Sequence, residues 1–261
     1  MLSFIDPLKV LTFEPESIVF ADFETAYSKD FTLSKLQTSS YIRDPRFQTI
    51  GVGVQVDDGP CVWMEDAEFR AWAKTVDWSQ VATVFHNAMF DNFILAERYG
   101  IVPGFMFDTL SMARALHGTE VGGGLGKLSL HYGVGEKGDE VVRAIGKRRE
   151  DFTQEEWIRY GLYCLNDVML MRGIFDIMQR GYPESELWLI DTTLRMFVEP
   201  KFVLDELMLF EFLGYEQQRK AELLARVSQD KSVLMSNDKF AALLMELGEI
   251  PPRKISVAKS K

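Results

Sequence analysis

The order of strand-like and helix-like segments constrains the fold more than any other feature of this chain. Five short apolar runs rich in strand-forming residues lie at 18–21, 49–56, 61–64, 81–85 and 104–107. The Asp58-Gly59 dipeptide predicts a tight hairpin between the second and third runs. Helical patterns over 65–74, 92–99 and 109–116 follow the later runs. Such alternation predicts an α/β fold with a mixed five-stranded sheet and helices on both faces.

The remainder of the chain reads as almost entirely helical from about Thr153. Thr153 and Glu156 have the spacing of a capping box, which predicts the start of a long helix reaching about Met178. Further helices are predicted over 184–197, 204–227 and 237–247. Gly181 and Pro183 interrupt the pattern. We therefore expect an α/β domain over 1–182 and an all-helical C-terminal segment over 183–261.

Composition and charge exclude several classes of protein. The 261-residue chain is 47% hydrophobic and 26% charged, which is typical of a globular protein. Its net charge of −10 disfavours non-specific duplex binding, yet it allows a nucleic-acid enzyme whose carboxylates hold metal ions. Two cysteines and three histidines are too few for a disulfide framework or a zinc-protease site. No run of 18 apolar residues predicts a membrane span, so a cytoplasmic location is expected.

Two carboxylates directly follow the first apolar run. Asp22 and Glu24 are two residues apart, so on a strand they share one face of the sheet. Two anions so placed repel each other unless a cation lies between them, and a divalent metal is the simplest such cation. The pattern is weak alone, because Asp66 and Glu68 repeat it within a predicted polar helix start.

Two further carboxylates, Asp91 and Asp167, occur later in the chain beside polar or aromatic residues. Asp91 follows His86 and Asn87 after the fourth strand, and it either belongs to a site or caps a helix beginning at Asn92. Tyr163 and Asp167 lie four residues apart on the long helix and therefore share a face. The alternative for this pair is a surface aspartate beside a core tyrosine.

The order and spacing of these elements resemble those of the DEDD-type 3′–5′ exonucleases in their tyrosine-bearing subgroup. The three similar motifs are Phe20–Thr25, His86–Asp91 and Tyr163–Asp167, and the resemblance covers roughly 18–178. It implies a ribonuclease-H-like fold and two Mg²⁺ ions, with Mn²⁺ able to substitute. It also implies hydrolysis of single-stranded or frayed DNA 3′ ends to nucleoside 5′-monophosphates.

The same resemblance implies a role for each motif residue. Asp22 would bridge two ions about 4 Å apart. Glu24 and Asp167 would complete the site of the water-activating ion, and Asp91 would hold the second ion. Tyr163 would orient the attacking water, since an ordinary phenol pKa near 10 makes it a poor base at neutral pH.

Contacts to DNA are expected from residues in or near the motifs. The candidates are Thr25, Asn87, Phe90 and Lys127. Phe23 could also stack on a base, although its place in the strand favours core packing. The run of basic residues over 147–149 could steer the backbone, but a solvated loop is the simpler interpretation.

The C-terminal segment is similar to the start of the thumb in family A (polymerase I-like) DNA polymerases of bacteriophages. The similar stretches are 202–205, 240–248 and 251–254. Nothing in the chain resembles a polymerase palm, so no polymerase activity is expected. The resemblance implies a proofreading role in a phage-infected bacterial cell, with the palm and fingers as a possible partner. We also expect partial disorder after about Pro251.

Two alternatives remain open at this stage. A free-standing RNA exonuclease of the ribonuclease D type would carry the same tyrosine-bearing motifs. A catalytically silent chain would use the same fold only to bind or dock on DNA.

Overall fold

The computed structural model describes residues 13–138, 144–227 and 229–252. The chain forms two compact units, Met1–Lys201 and Phe202–Lys261. The expected disorder after Pro251 concerns mainly residues 253–261, which lie outside the described ranges. Within those ranges, no helix is both long and apolar enough to cross a membrane.

The first unit contains a five-stranded sheet with the strand order β3-β2-β1-β4-β5. The strands are β1 (Ser17–Thr25), β2 (Thr49–Val56), β3 (Cys61–Glu65), β4 (Val81–Phe85) and β5 (Phe105–Asp108). β1 and β2, and β2 and β3, pair antiparallel, whereas β4 is parallel to both β1 and β5. The predicted mixed sheet is confirmed, and β1 occupies its centre.

Helices cover both faces of this sheet, as predicted. They are α1 (Thr38–Arg43), α2 (Asp66–Ala73), α3 (Ala88–Ile94), α4 (Thr109–His117), α5 (Leu125–Tyr132), α6 (Gln154–Met178) and α7 (Glu184–Val198). Val19, Ala21 and Phe23 of β1 point to a core shared with residues of α2, α3 and α7. Phe20 points to the opposite core, built mainly from α4, α5 and α6. The period of two along β1 therefore separates an apolar face from the face that carries Asp22 and Glu24.

The long helix α6 starts with the predicted capping box. Thr153 Oγ1 accepts from the backbone N–H of Glu156 at 3.3 Å, and Glu156 Oε2 accepts from the N–H of Thr153 at 3.1 Å. Opposite α6, Gly53 of β2 permits close contact: a Cβ there would lie 2.9 Å from Cys164 Sγ and 3.0 Å from Val168 Cγ2. The glycine therefore sets how near α6 lies to the sheet.

The first compact unit continues beyond residue 182, because α7 packs on it. Leu194 and Val198 are buried in the core that contains Phe23. Asp191 accepts from the backbone N–H of Met106 at 2.9 Å, which joins α7 to β5. The predicted domain boundary at 182 stays a prediction, whereas the structural division falls after Lys201.

The second unit is helical, as predicted. It contains α8 (Glu206–Arg226), α9 (Lys231–Leu234) and α10 (Asn237–Glu246). Asp205 and Ser236 cap α8 and α10 by accepting backbone N–H bonds from Met208 and Lys239.

Two predicted elements, the hairpin turn and the helix after β4, begin at earlier residues than expected. The tight turn joins the C=O of Val56 to the N–H of Gly59 at 2.9 Å, so its central residues are Asp57 and Asp58 rather than Asp58 and Gly59. Asp57 takes a positive φ of 47°, a conformation that Asp tolerates better than most residues. The helix predicted from Asn92 begins earlier, at Ala88, and ends in a π-helical turn over Leu95–Tyr99.

Candidate active site

The first pair of carboxylates lies at the C-terminal end of β1 on the face covered by α6. Asp22 is paired in register with Gly53, and Glu24 with Gly51. Cross-strand partners share a face, so β2 places no side chain beside the two carboxylates. Cys164 of α6 packs against Gly53 instead, and Trp63 of β3 packs against Gly51. Oxygens of Asp22 and Glu24 and the sulfur of Cys164 all lie within 4.8 Å of one another. Glu24 is buried, and its Oε2 accepts from the Tyr160 hydroxyl at 2.5 Å.

Asp91 reaches the same place from α3. The N-cap of this helix is Asn87, and Asp91 lies in its first turn, so Asp91 is not the cap that the alternative required. Its side chain is 3% exposed, and Oδ1 accepts from the backbone N–H of Phe23 at 3.2 Å. Phe23 stands between Asp22 and Glu24, so this bond brings Asp91 to the first pair.

Asp167 and Tyr163 reach the site from α6. Both are buried, and they lie one turn apart on the same face of the helix. The alternative of a surface aspartate is therefore wrong. Asp167 also forms an ion pair with Lys137. Four predicted carboxylates and the predicted tyrosine thus converge from β1, α3 and α6.

Burial and mutual repulsion make this cluster resist ionisation. Burial, and then the charge of Asp22, raises the pKa of Glu24 from 4.5 to about 8. Burial, and then the charge of Asp167, raises the pKa of Asp22 from 3.8 to about 6. Burial likewise raises the pKa of Asp91 and that of Asp167, and Lys137 opposes the rise at Asp167. Strongly perturbed carboxyl groups in one place are typical of a functional site.

The donor set fits divalent metal ions. Carboxylate oxygens are the ligands that hard cations such as Mg²⁺ and Mn²⁺ prefer. Among the described residues, no hydrogen-bond donor reaches the buried Oδ1 of Asp167. A buried oxygen without a partner is costly, and a bound cation would satisfy it. Asp22, Glu24, Asp91 and Asp167 are the residues that could hold such ions.

Three neighbours of the cluster were not predicted as site residues. Tyr160 binds Glu24, and it could have been found from its place one turn before Tyr163 on α6. Cys164 was within the third motif, but an oxygen-only ligand set was expected; its Sγ lies 3.7 Å from Asp22 Oδ2. Burial raises the pKa of the Cys164 thiol, which therefore stays protonated at neutral pH. Lys137 had no local pattern, because only the tertiary fold brings it to Asp167.

Asp108 fixes the turn that precedes Asp91. Its Oδ1 accepts from the backbone N–H groups of Asn87 at 2.9 Å and Ala88 at 3.1 Å. Asn87 has a left-handed φ of 69°, which these bonds hold in place. His86 Nδ1 lies 2.9 Å from Thr109 Oγ1, and burial lowers the pKa of the His86 ring.

The residues predicted to contact DNA occupy different environments. Asn87 and Lys127 are exposed, and Phe90 is half-buried with its ring 6.1 Å from that of Tyr41. The buried Thr25 hydroxyl lies 3.0 Å from the hydroxyl of Tyr41, so it is engaged inside the fold. Their roles in DNA binding stay predictions.

Other aromatic and basic candidates belong to the fold itself. Phe23 is a core residue, 5.3 Å from the ring of Phe69. The basic run forms ion pairs: Lys147 with Glu156, Arg148 with Glu150, and Arg149 with Glu65.

Comparison with solved structures shows the same fold in other proteins. NrnC of Brucella melitensis shares 15% sequence identity with a TM-score of 0.52, covering 73% of this chain and 87% of that one. A second NrnC structure with bound Mg²⁺ gives the same values. The catalytic core of RRP6 from Trypanosoma brucei shares 16% identity with a TM-score of 0.50, covering 72% of this chain and 49% of that one. No curated protein matches the sequence.

The family comparison is more specific. The family model described as 3′–5′ exonuclease matches residues 44–182. The matched range contains Asp91, Tyr163 and Asp167, while β1 with Asp22 and Glu24 precedes it. The match covers more than half of the chain and contains two of the four site carboxylates. The chain therefore belongs to the 3′–5′ exonuclease family.

Proposed function

We propose that the chain removes nucleotides one at a time from an unpaired 3′ end and releases nucleoside 5′-monophosphates. The observation that carries this proposal is the convergence of four carboxylates and Tyr163 from three separate elements. Two divalent ions held by Asp22, Glu24, Asp91 and Asp167 would activate water and stabilise the leaving 3′ oxygen.

The surrounding residues orient this machinery. Burial, and then the charge of Asp167, raises the pKa of Tyr163 above its usual range, so the phenol stays protonated. A protonated phenol donates a hydrogen bond but accepts no proton, which suits Tyr163 to orienting the attacking water. Tyr160 holds one oxygen of Glu24 at 2.5 Å, and the backbone of Phe23 holds Asp91.

Mg²⁺ is the ion we propose, with Mn²⁺ as a substitute. The oxygen-rich ligand set suits both ions. The NrnC structure that shares this fold was determined with bound Mg²⁺.

Two polymers, DNA and RNA, are the candidate substrates. The motif and tail resemblances support proofreading of DNA within a phage family A polymerase. The similar solved structures described above are those of NrnC and RRP6, and neither is a phage polymerase. This supports the other reading better, namely a free-standing exonuclease of the ribonuclease D type that trims RNA.

The test uses RNA and DNA oligonucleotides of one sequence, each labelled at the 5′ end, with Mg²⁺ and with excess EDTA. A ladder of shortened products that needs Mg²⁺ is expected. A faster ladder with RNA supports RNA trimming, and a faster ladder with DNA supports proofreading. A mismatched DNA primer with added nucleotides tests the expectation that no extension occurs.

Two substitutions on α6 make this test specific. Asp167→Asn should abolish shortening. Asp176→Asn should leave it unchanged, because Asp176 is a half-exposed carboxylate that pairs with Arg172 on the same helix. If wild type binds Mg²⁺ without shortening either polymer, the docking alternative replaces the enzyme.

A further inference from the structure

Lys137 places a cation inside the carboxylate cluster. Its ammonium group forms an ion pair with Oδ2 of Asp167 and lies 5.0 Å from the ring centroid of Tyr163. Its charge also acts on Asp22 and Glu24. Among the described residues, no other Lys or Arg forms an ion pair with any of the four site carboxylates.

The fold holds the segment that carries Lys137 against α5 and α6. The Asn166 side chain donates to the C=O of Glu136 at 3.0 Å, which ties the preceding residue to α6. A Cβ built on Gly126 would lie 3.3 Å from Cβ of Lys137, so this glycine gives the lysine stem its place beside α5. The ion pair between Lys137 and Asp167 is therefore held in place by packing of the Lys137 segment against α5 and α6.

The same contact conflicts with metal binding. Asp167 is one of the carboxylates proposed to hold a divalent ion, and Lys137 engages one of its two oxygens. A divalent ion in the cluster would repel the ammonium group of Lys137, because the two cations would be a few ångströms apart in a partly buried site. About a third of the Lys137 side chain is exposed, 32%, against 4% for Asp167. An open groove of about 490 Å³ beside Tyr163 and Arg159 gives the lysine somewhere to move.

We propose that Lys137 is a built-in counter-cation that neutralises the site before metal binds and leaves Asp167 when divalent ions enter. This inference rests on the proposed metal-dependent function. Lys137 thus supports the metal-free fold and competes with the metal for the same carboxylate. Removing it should destabilise the metal-free chain and tighten metal binding.

The first test is calorimetric titration of Mg²⁺ and Mn²⁺ into the full chain without nucleic acid. Lys137→Gln should bind each ion about tenfold more tightly than wild type, as expected for losing a competitor worth one partly buried ion pair. Lys147→Gln is the matched control. Lys147 pairs with Glu156 at 2.6 Å, and its side chain is similarly exposed at 28%, but it lies outside the cluster. The Lys147→Gln variant should bind each metal with the affinity of wild type.

The second test uses the wild-type chain and does not depend on the variant folding. Amine acylation is followed at each lysine by peptide mass spectrometry, with and without Mg²⁺. Lys137 should react several-fold faster with Mg²⁺, because release from Asp167 frees the amine, while Lys147 should react at one rate throughout.

The outcomes separate this inference from the proposed function. The proposal that Lys137 is a counter-cation is wrong if Lys137→Gln binds metal no more tightly than wild type. It is also wrong if Mg²⁺ does not change the acylation rate of Lys137. If wild type binds no metal at all, both proposals fail. Mg²⁺-dependent shortening of an oligonucleotide, measured separately, leaves the proposed function standing even if Lys137 has no part in metal exchange.

Discussion

Without metal, the stability of the first unit should fall as pH rises through the neutral range. Burial and the charge of Asp22 raise the pKa of Glu24 from 4.5 to about 8, and the pKa of Asp22 rises to about 6. Each carboxyl thus keeps its proton in the folded chain at pH values where the unfolded chain has lost it. The stabilisation is fully present below the unfolded pKa and disappears as pH rises through the folded pKa.

Glu24 alone sets the expected magnitude. Between about pH 5 and about pH 8 the folded chain holds one more proton there than the unfolded chain. Each pH unit then lowers the free energy of unfolding by about 1.4 kcal/mol. From about pH 5.5 to about pH 7.5 the loss is about 3 kcal/mol, a large part of the stability of an ordinary domain. Asp22 steepens the slope at the acidic end.

Urea unfolding followed by tryptophan fluorescence measures this effect. The five tryptophans lie between positions 63 and 188, so all of them report on the first unit. In excess EDTA the free energy of unfolding should fall with pH. In excess Mg²⁺ the fall should shrink or reverse, because the ion binds the ionised carboxylates of the folded chain.

Two controls decide whether the cluster causes the slope. Glu24→Gln should flatten it, whereas Glu155→Gln on the exposed start of α6 should not. A stability in EDTA that stays constant or rises between about pH 5.5 and about pH 7.5 would refute the reasoning.

Three further substitutions test the supports of the site, each by urea unfolding and by Mg²⁺-dependent shortening of an oligonucleotide. Tyr160→Phe removes the 2.5 Å bond to Glu24 and should cost about 1–2 kcal/mol of stability. Gly53→Ala places a methyl group 2.9 Å from Cys164 Sγ and should cost about 1–3 kcal/mol and lower activity. Gly124→Ala has open space around it and should keep activity, losing only the preference for glycine at the N-cap of α5, about 1 kcal/mol or less. Asp108→Ala releases the backbone of Asn87 and should lower activity and cost about 1–3 kcal/mol.

Much of the sheet could be predicted because its patterns are local. Apolar runs bounded by turns predicted β2 and β4 with their observed ends. The spacing of Asp22 and Glu24 predicted a shared face, and the spacing of Tyr163 and Asp167 predicted another. Their meeting could not be derived from either spacing alone. It depended on recognising the order of the three motifs.

What the sequence left open depends on tertiary packing. Helix α7 has the same amphipathic pattern whether it packs on the sheet or on the following helices, so its burial through Leu194 could not be read from the sequence. Asp91 looked equally like a cap, and its bond to the Phe23 backbone joins residues 68 positions apart. Lys137 shows the limit most clearly, since a lysine in a polar loop carries no sign of its partner.

The site geometry is set by packing between regular elements, which explains how few sequence features it requires. The close approach of α6 to β2 depends on Gly53, and that approach brings Asp167 within reach of Asp22. Gly51, which pairs with Glu24, likewise leaves room for the ring of Trp63 from β3. A strand ending in two carboxylates, small residues on its neighbour and one helix crossing them are sufficient to assemble most of the cluster.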